Sequence, residues 1–231
     1  LNFLDLVSLG TVCDVVPLTG VNRALVSQGL EVMRYRHNVG IASLIDVTGI
    51  NSDPNAYHAG FILGPRVNAG GRIGASDLGS KLLCTQNKNE AFIIATKLNE
   101  LNLQRQKIEK VVLDAATEVV KTAKNKGSSL IFVGRDGWHP GIIGIVASRL
   151  VEQFNKPVCV VSCDPESGVC IGSGRSIPGV NLGRAILAAR QKGFLLSGGG
   201  HPMAAGFKFK KNQMSELEVC LEDEVNQNYQ Q

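Results

Sequence analysis

Apolar positions at helical spacing open the chain. Leu25, Leu30 and Val32-Met33 recur between Val21 and Arg34, and Ile41-Ala42-Ser43-Leu44-Ile45 predicts another short helix. Gly10, Pro17-Leu18-Thr19-Gly20 and Gly40 break this region into helical pieces of a larger core. Residues 51–80 lose the periodicity, and Gly60, Gly64, Gly70, Gly71, Gly74 and Gly79 predict an irregular stretch. From about Lys88 to Lys124 neither Pro nor Gly occurs, and Ala91, Ile94, Ala95, Leu98, Leu101, Ile108, Val111, Val112, Ala115 and Val119 form one stripe. At about 1.5 Å per residue such a helix reaches roughly 50 Å, long enough to link two lobes, with Gly127 as its stop. Beyond it the pattern alternates. Leu130–Val133, Pro157–Val161 and Val169–Gly172 predict strands, and Gly206-Phe207-Lys208-Phe209-Lys210 alternates like an edge strand. Ile142–Phe154, Asn181–Gln191 and Met214–Asn226 predict helices. Strands alternating with helices predict an α/β sheet. The expected division is 1–80, a connecting helix over 81–127, and a second domain over 128–231.

Composition narrows this picture. The chain has 231 residues, 44% hydrophobic and 19% charged, with a net charge of +4. That supports a real core and excludes a histone-like electrostatic binder; nucleic-acid contact must come from local basic sites. No apolar run reaches the ~18–20 residues of a membrane span, and no leader pattern opens the chain. The six cysteines include no CxxC pair. Cys159 and Cys163, four apart on a strand, read as reduced core thiols of a cytoplasmic protein, not as disulfides or zinc ligands. The opening Leu1-Asn2-Phe3-Leu4 reads as the inside of a domain, so a fragment of a longer protein is expected.

Candidate chemistry concentrates in glycine-rich islands. Gly198-Gly199-Gly200-His201 surrounds a histidine with residues that let backbone approach a ligand; the alternative is a flexible loop with a surface histidine. Met203-Ala204-Ala205, just after it, reads as a helical turn. Gly137-Trp138-His139-Pro140-Gly141 follows a strand and opens a helix, whose N-terminus suits phosphate; the alternative is a tight turn whose histidine caps the helix. Gly172-Ser173-Gly174-Arg175-Ser176 follows a strand and offers hydroxyls and the planar fork of Arg175; the alternative is an exposed hairpin turn. Three such islands predict one polyanion-binding cleft. In Gly64-Pro65-Arg66-Val67-Asn68-Ala69-Gly70-Gly71-Arg72, two arginines in a glycine-rich loop either clamp phosphates or salt-bridge to another lobe. Asp14, among apolar neighbours, is a metal ligand, a helix cap or a salt-bridge partner. Glu222-Asp223-Glu224 reads as a solvated helix face. The chain has no Asp-x-Asp, no Asp-His-His, no GxGxxG after a strand and no GxxxxGK[ST]. It therefore holds a substrate-gripping half and neither a complete metal centre nor a P-loop or dinucleotide site.

Leu4–Leu18, Leu63–Arg72, Gly137–Gly144, and Gly172–Ser176 with Gly198–His201 resemble, in order, motifs of the RecJ family of the DHH phosphoesterase superfamily. The resemblance implies an α/β fold: the end of a DHH domain, a long linker helix, and a smaller α/β DHH-associated domain with a mixed sheet. It implies a metal-dependent exonuclease degrading single-stranded DNA 5′→3′ in DNA recombination and repair, with repair proteins as possible partners and no membrane. By the same resemblance Asp14 is the last metal-binding aspartate, and His139 and His201 are the catalytic candidates. Arg66, Arg72, Ser173, Arg175, Gly199 and Gly200 bind substrate. Mn²⁺ or Mg²⁺ is the cofactor of the intact enzyme. The Asp-His-His motif is absent, so this stretch alone is expected to hold no metal and to be inactive while still binding nucleic acid. The rival readings are a DHH-family oligoribonuclease or cyclic-dinucleotide phosphodiesterase, and a stand-alone nucleic-acid-binding module.

Overall fold

A computed structural model describes residues 3–121 and 127–228. The chain divides into two compact units, Leu1–Gln106 and Lys107–Gln231. Among the described residues no helix is long and apolar enough to cross a membrane.

The first unit is helical. Helices α1 (Leu4–Cys13), α2 (Gly20–Arg34) and α3 (Val39–Thr48) are followed by a π-helical turn, His58–Leu63, and by the short helices α4 (Gly64–Val67), α5 (Ala69–Ile73) and α6 (Leu78–Cys84). Residues 58–73 are thus helical, not the irregular loop that their glycines predict. The glycines there serve close approach: a Cβ on Gly64 would strike the Cys13 thiol, and one on Gly79 would lie 2.6 Å from the Val67 carbonyl oxygen. The core gathers Leu9, Met33, Ile41, Leu44, Leu63, Leu82, Ala95 and Leu98. The long helix α7 runs from Lys88 to Val120; its predicted last turn, toward Lys124, lies outside the described residues.

The second unit is an α/β layer. Its elements run β1 (Ile131–Asp136), α8 (Pro140–Phe154), β2 (Val158–Cys163), β3 (Val169–Arg175), α9 (Leu182–Gln191), β4 (Ser197–His201), β5 (Ala204–Lys210) and α10 (Met214–Asn228). The sheet order is β1-β2-β3-β5-β4. Strands β1 and β2 are parallel, joined by α8, and the remaining pairs are antiparallel. Every residue of β2 is buried, which explains the apolar run Val158–Val161: a strand covered on both faces has no side turned to water.

Register sorts the side chains onto two faces, because partners across a ladder point the same way. One face carries Phe132, Cys159, Val161, Cys170, Phe207 and Phe209, and packs on Leu182, Ile186, Leu217, Leu221 and Val225 of α9 and α10. The other carries Arg175, Ser173 and Ile171 of β3, Ala204, Gly206, Lys208 and Lys210 of β5, and His201, Gly199 and Ser197 of β4.

Several local readings change. β5 lies between β3 and β4, so it is an interior strand; the edge is β4. Met203-Ala204-Ala205 is no helical turn, because Pro202-Met203 links β4 to β5 and Ala204 starts the strand. Gly172–Arg175 is part of β3 itself and not a loop after it. Cys163 is disulfide-bonded to Cys170, whereas linear spacing pointed to reduced thiols. The two are direct cross-strand partners, a proximity that register creates and spacing hides. Cys159 remains a free thiol, fully buried, with its pKa pushed up to about 12 by that burial. Glu222 and Glu224 are not a solvated face either. Glu222 accepts the Ser129 N–H at 3.0 Å, and Glu224 pairs with Lys192 at 2.7 Å.

Candidate nucleic-acid interface

The uncovered part of the second sheet face is built row by row. In the first row Arg175, Ala204 and His201 lie side by side across β3, β5 and β4. In the second row lie Ser173, Gly206 and Gly199. Helix α8 packs on β2 and β3, and its glycine Gly144 comes so close that a Cβ there would lie 2.9 Å from Ser173 Oγ and 3.2 Å from Arg175 Nη2. On the β4–β5 side Gly199, His201, Gly206, Lys208 and Lys210 are exposed. A Cβ on Gly199 or Gly206 would meet nothing within 4 Å. These two glycines therefore leave a strip of bare backbone, with an arginine and a serine on one side and a histidine at one end.

Arg175 is held in place. Its Nη1 donates to Gly174 O at 2.8 Å and to Ser173 Oγ at 3.2 Å, folding the side chain back along the sheet. A guanidinium fixed in this way loses little entropy when it meets a phosphate.

The glycines of the 198–200 run divide their work. Gly199 faces the open side. A Cβ on Gly200 would collide with Ala204 O and Ala205, and one on Gly198 would lie 3.0–3.1 Å from Leu195, Ile186 and Phe207. Packing alone therefore demands glycine at 200.

Gly137, at φ 78°, turns the chain from β1 toward α8, and His139 caps that helix. Its Nδ1 accepts the Gly141 N–H at 3.1 Å. The capping alternative thus holds for this atom and occupies one first-turn donor, while Pro140 has none. A neutral His139 with Nδ1 accepting carries its proton on Nε2, the ring atom left to face a ligand.

The first unit places the remaining candidates. Arg66, on α4, is half-buried and donates Nε to Asn99 Oδ1 at 2.8 Å and Nη1 to Ile62 O at 2.7 Å. These acceptors are neutral, so the salt bridge weighed for Arg66 is not what holds it. Burial, and then the neighbouring Arg105, lower its pKa, the behaviour of a cation short of compensating charge. Arg72 is exposed on α5.

Asp14 is the exposed C-terminal cap of α1. It lines an open pocket of about 580 Å³ with Cys13, Asn68, Ser80 and Cys84 among others. Burial, reinforced by the Asp14 charge, raises the Cys13 pKa and keeps it a thiol. Among the described residues no group of three or more His, Cys, Asp or Glu is placed to hold a metal ion. A lone carboxylate beside a protonated thiol does not fit Mn²⁺ or Mg²⁺, which want several oxygen ligands. The described residues therefore make no metal site by themselves.

The sequence reading missed Gly144, the contact that presses α8 onto Ser173 and Arg175, and it read Lys208 and Lys210 only as the outward half of an alternation. The available signal was that alternation itself, Phe-Lys-Phe-Lys after a glycine.

Comparison with known proteins places this geometry. Residues 126–227 match the DHHA1 domain. Over 221 residues, 95% of the chain, it is 38% identical to the single-stranded-DNA-specific exonuclease RecJ of Bacillus subtilis, and covers 28% of that protein. It is 37% identical to RecJ of Escherichia coli over 91% of the chain and 37% of that protein. The crystal structure of Thermus thermophilus RecJ with Mg²⁺ superposes with a TM-score of 0.86 at 31% identity, covering 98% of this chain and 34% of the other. A RecJ structure bound to manganese gives 0.81 at 31% identity, covering 97% and 55%. The chain thus spans less than half the length of these curated relatives. Its residues 126–227 carry the DHHA1 domain, and over nearly its whole length the chain is similar to RecJ proteins.

Proposed function

We propose that this chain is the strand-gripping part of a metal-dependent exonuclease that degrades single-stranded DNA 5′→3′. The observation that carries the reading is the open sheet face: Ser173, Arg175, Gly199, Gly206 and His201, from separate islands, share two adjacent rows. Bare backbone between a fixed guanidinium and a histidine gives phosphates close approach and charged hydrogen bonds without reading bases. His201, exposed at the end of β4, and Nε2 of His139 are the groups that would donate to or exchange a proton with a phosphate oxygen. In the first unit Arg66 and Arg72 would contact the same kind of strand. Asp14 would supply one ligand of a centre whose other ligands come from elsewhere, so no hydrolytic step is assigned to this chain. Gly200 contributes through packing. Single-stranded DNA is the partner; repair proteins and a cytoplasmic setting follow from such a role.

Arg175→Ala is expected to weaken single-strand binding by about 1–3 kcal/mol, the range of a charged hydrogen bond, without lowering the melting temperature by more than a few degrees. Fluorescence anisotropy with a labelled oligonucleotide reads this directly; an unchanged dissociation constant removes Arg175 from the interface. The chain incubated with Mn²⁺ and single-stranded DNA is expected to release no nucleotides. Release from the 5′ end would show that it holds a working centre after all.

A further inference from the structure

The two rows just described do not exhaust the open face. We propose that Lys208 and Lys210 form a second phosphate-holding station on it, so that the grip runs along β5 and strengthens with the length of the bound strand. The proposal rests on the nucleic-acid reading of this face and extends it.

Lys208 pairs with Ile171 on one side and Ser197 on the other, and Lys210 with Val169. Both are exposed, while the intervening Phe209 is fully buried on the opposite face. Neither makes an ion pair among the described residues. Other lysines of this unit do: Lys211 pairs with Asp136 and Lys192 with Glu224, both at 2.7 Å. Acidic partners are thus supplied to those lysines and withheld from the two that continue the bare strip.

Lysines often guard a sheet edge against pairing with other chains. That explanation does not reach Lys208, which β4 covers through Ser197; Lys210 lies one step past the last β4 pair, on the same face and next in line after Lys208. Side chains two apart on a strand are separated by about 6.7 Å. From the row of Arg175 and His201 to Lys208 is therefore about 13 Å, and to Lys210 about 20 Å. A strand lying over Gly199 and Gly206 reaches the Lys208 row next. Ammonium groups on long flexible stems suit this task, since they follow a phosphate whose position varies from one strand to another.

The test uses the whole chain and two 5′-phosphorylated probes, a dinucleotide and an oligodeoxythymidylate of about 15 residues, a length of the order that single-strand grooves accommodate. The double variant Lys208→Gln/Lys210→Gln is expected to bind the long probe about tenfold or more weakly. Its log–log salt slope should be shallower by about 1.4, at about 0.7 for each of two lost phosphate contacts. Dinucleotide affinity should stay as in the parent, and Lys208→Arg/Lys210→Arg should retain tight binding of the long probe. Equal affinity and equal salt slope for parent and Gln variant on the long probe overturn the proposal while leaving the first two rows as the interface. A parent chain that binds neither probe overturns the nucleic-acid reading of the face, and this proposal with it.

Discussion

Gly206→Val and Gly199→Val are expected to fold as the parent does and to lose single-stranded-DNA binding. Neither glycine has anything within 4 Å of the position a Cβ would take, and neither has a positive φ. Valine is a favourable strand residue, and glycine in a strand interior weakens it, so unfolding midpoints should hold or rise slightly. The added side chain would stand on the bare strip between Ser173 and the β4 edge, lifting a bound strand away from Arg175 and His201. Losing two charged contacts together costs about 3 kcal/mol or more, a fall in affinity of about two orders of magnitude. Anisotropy titration beside a thermal melt checks both halves. A variant that folds and binds like the parent would remove this strip from the interface.

Gly200→Ala and Gly172→Ala should do the reverse, lowering stability more than they lower affinity per folded molecule. A Cβ on Gly172 would enter the ring of Phe207, and one on Gly200 would collide with Ala204 O and Ala205. Phe207 is held in the core with Phe209, Leu182 and Ile186, and the second obstacle is backbone, so neither can yield cheaply. Overpacking of this kind costs about 1–3 kcal/mol, read as a lower denaturant midpoint at constant slope. The comparison of Gly199 with Gly200 is the sharpest part: neighbours in one glycine run, on opposite faces, with opposite expected failures. A Gly200→Ala variant as stable as the parent would mean that the face assignment is wrong.

The legible parts of the sequence were those with a local cause. The first half of the stripe, Ala91, Ile94, Ala95, Leu98 and Leu101, and the run Val158–Val161 reflect burial along single elements and read directly, whereas Val111 and Val119 of the predicted stripe are exposed and Ala116 and Val120 are buried in their place. The three islands were visible as glycines around His139, Arg175 and His201; register sets the Arg175 and His201 islands in adjacent rows, while His139 stands at the start of α8. What brings Arg175 beside His201 is the antiparallel placement of β5 between β3 and β4, which depends on pairing between distant segments and leaves no local trace. The same register makes partners of Cys163 and Cys170. Residues 58–73 misled for a different reason: glycines that usually break helices sit there because helices cross closely, as Gly64 does against Cys13. Asp14 read as a metal ligand, a helix cap or a salt-bridge partner because its neighbours along the chain are apolar; it stands exposed at the C-cap position of α1.

The central claim is that this chain holds single-stranded DNA on the open face of its five-stranded sheet. Its most direct test is a titration of the isotopically labelled chain with a 5′-phosphorylated oligodeoxythymidylate, followed by amide chemical shifts. The account predicts shifts at Ser173–Arg175, Gly199–His201 and Ala204–Lys210, with the exposed faces of α9 and α10 unmoved. Binding that leaves those sheet amides in place, or moves α9 and α10 instead, would contradict it.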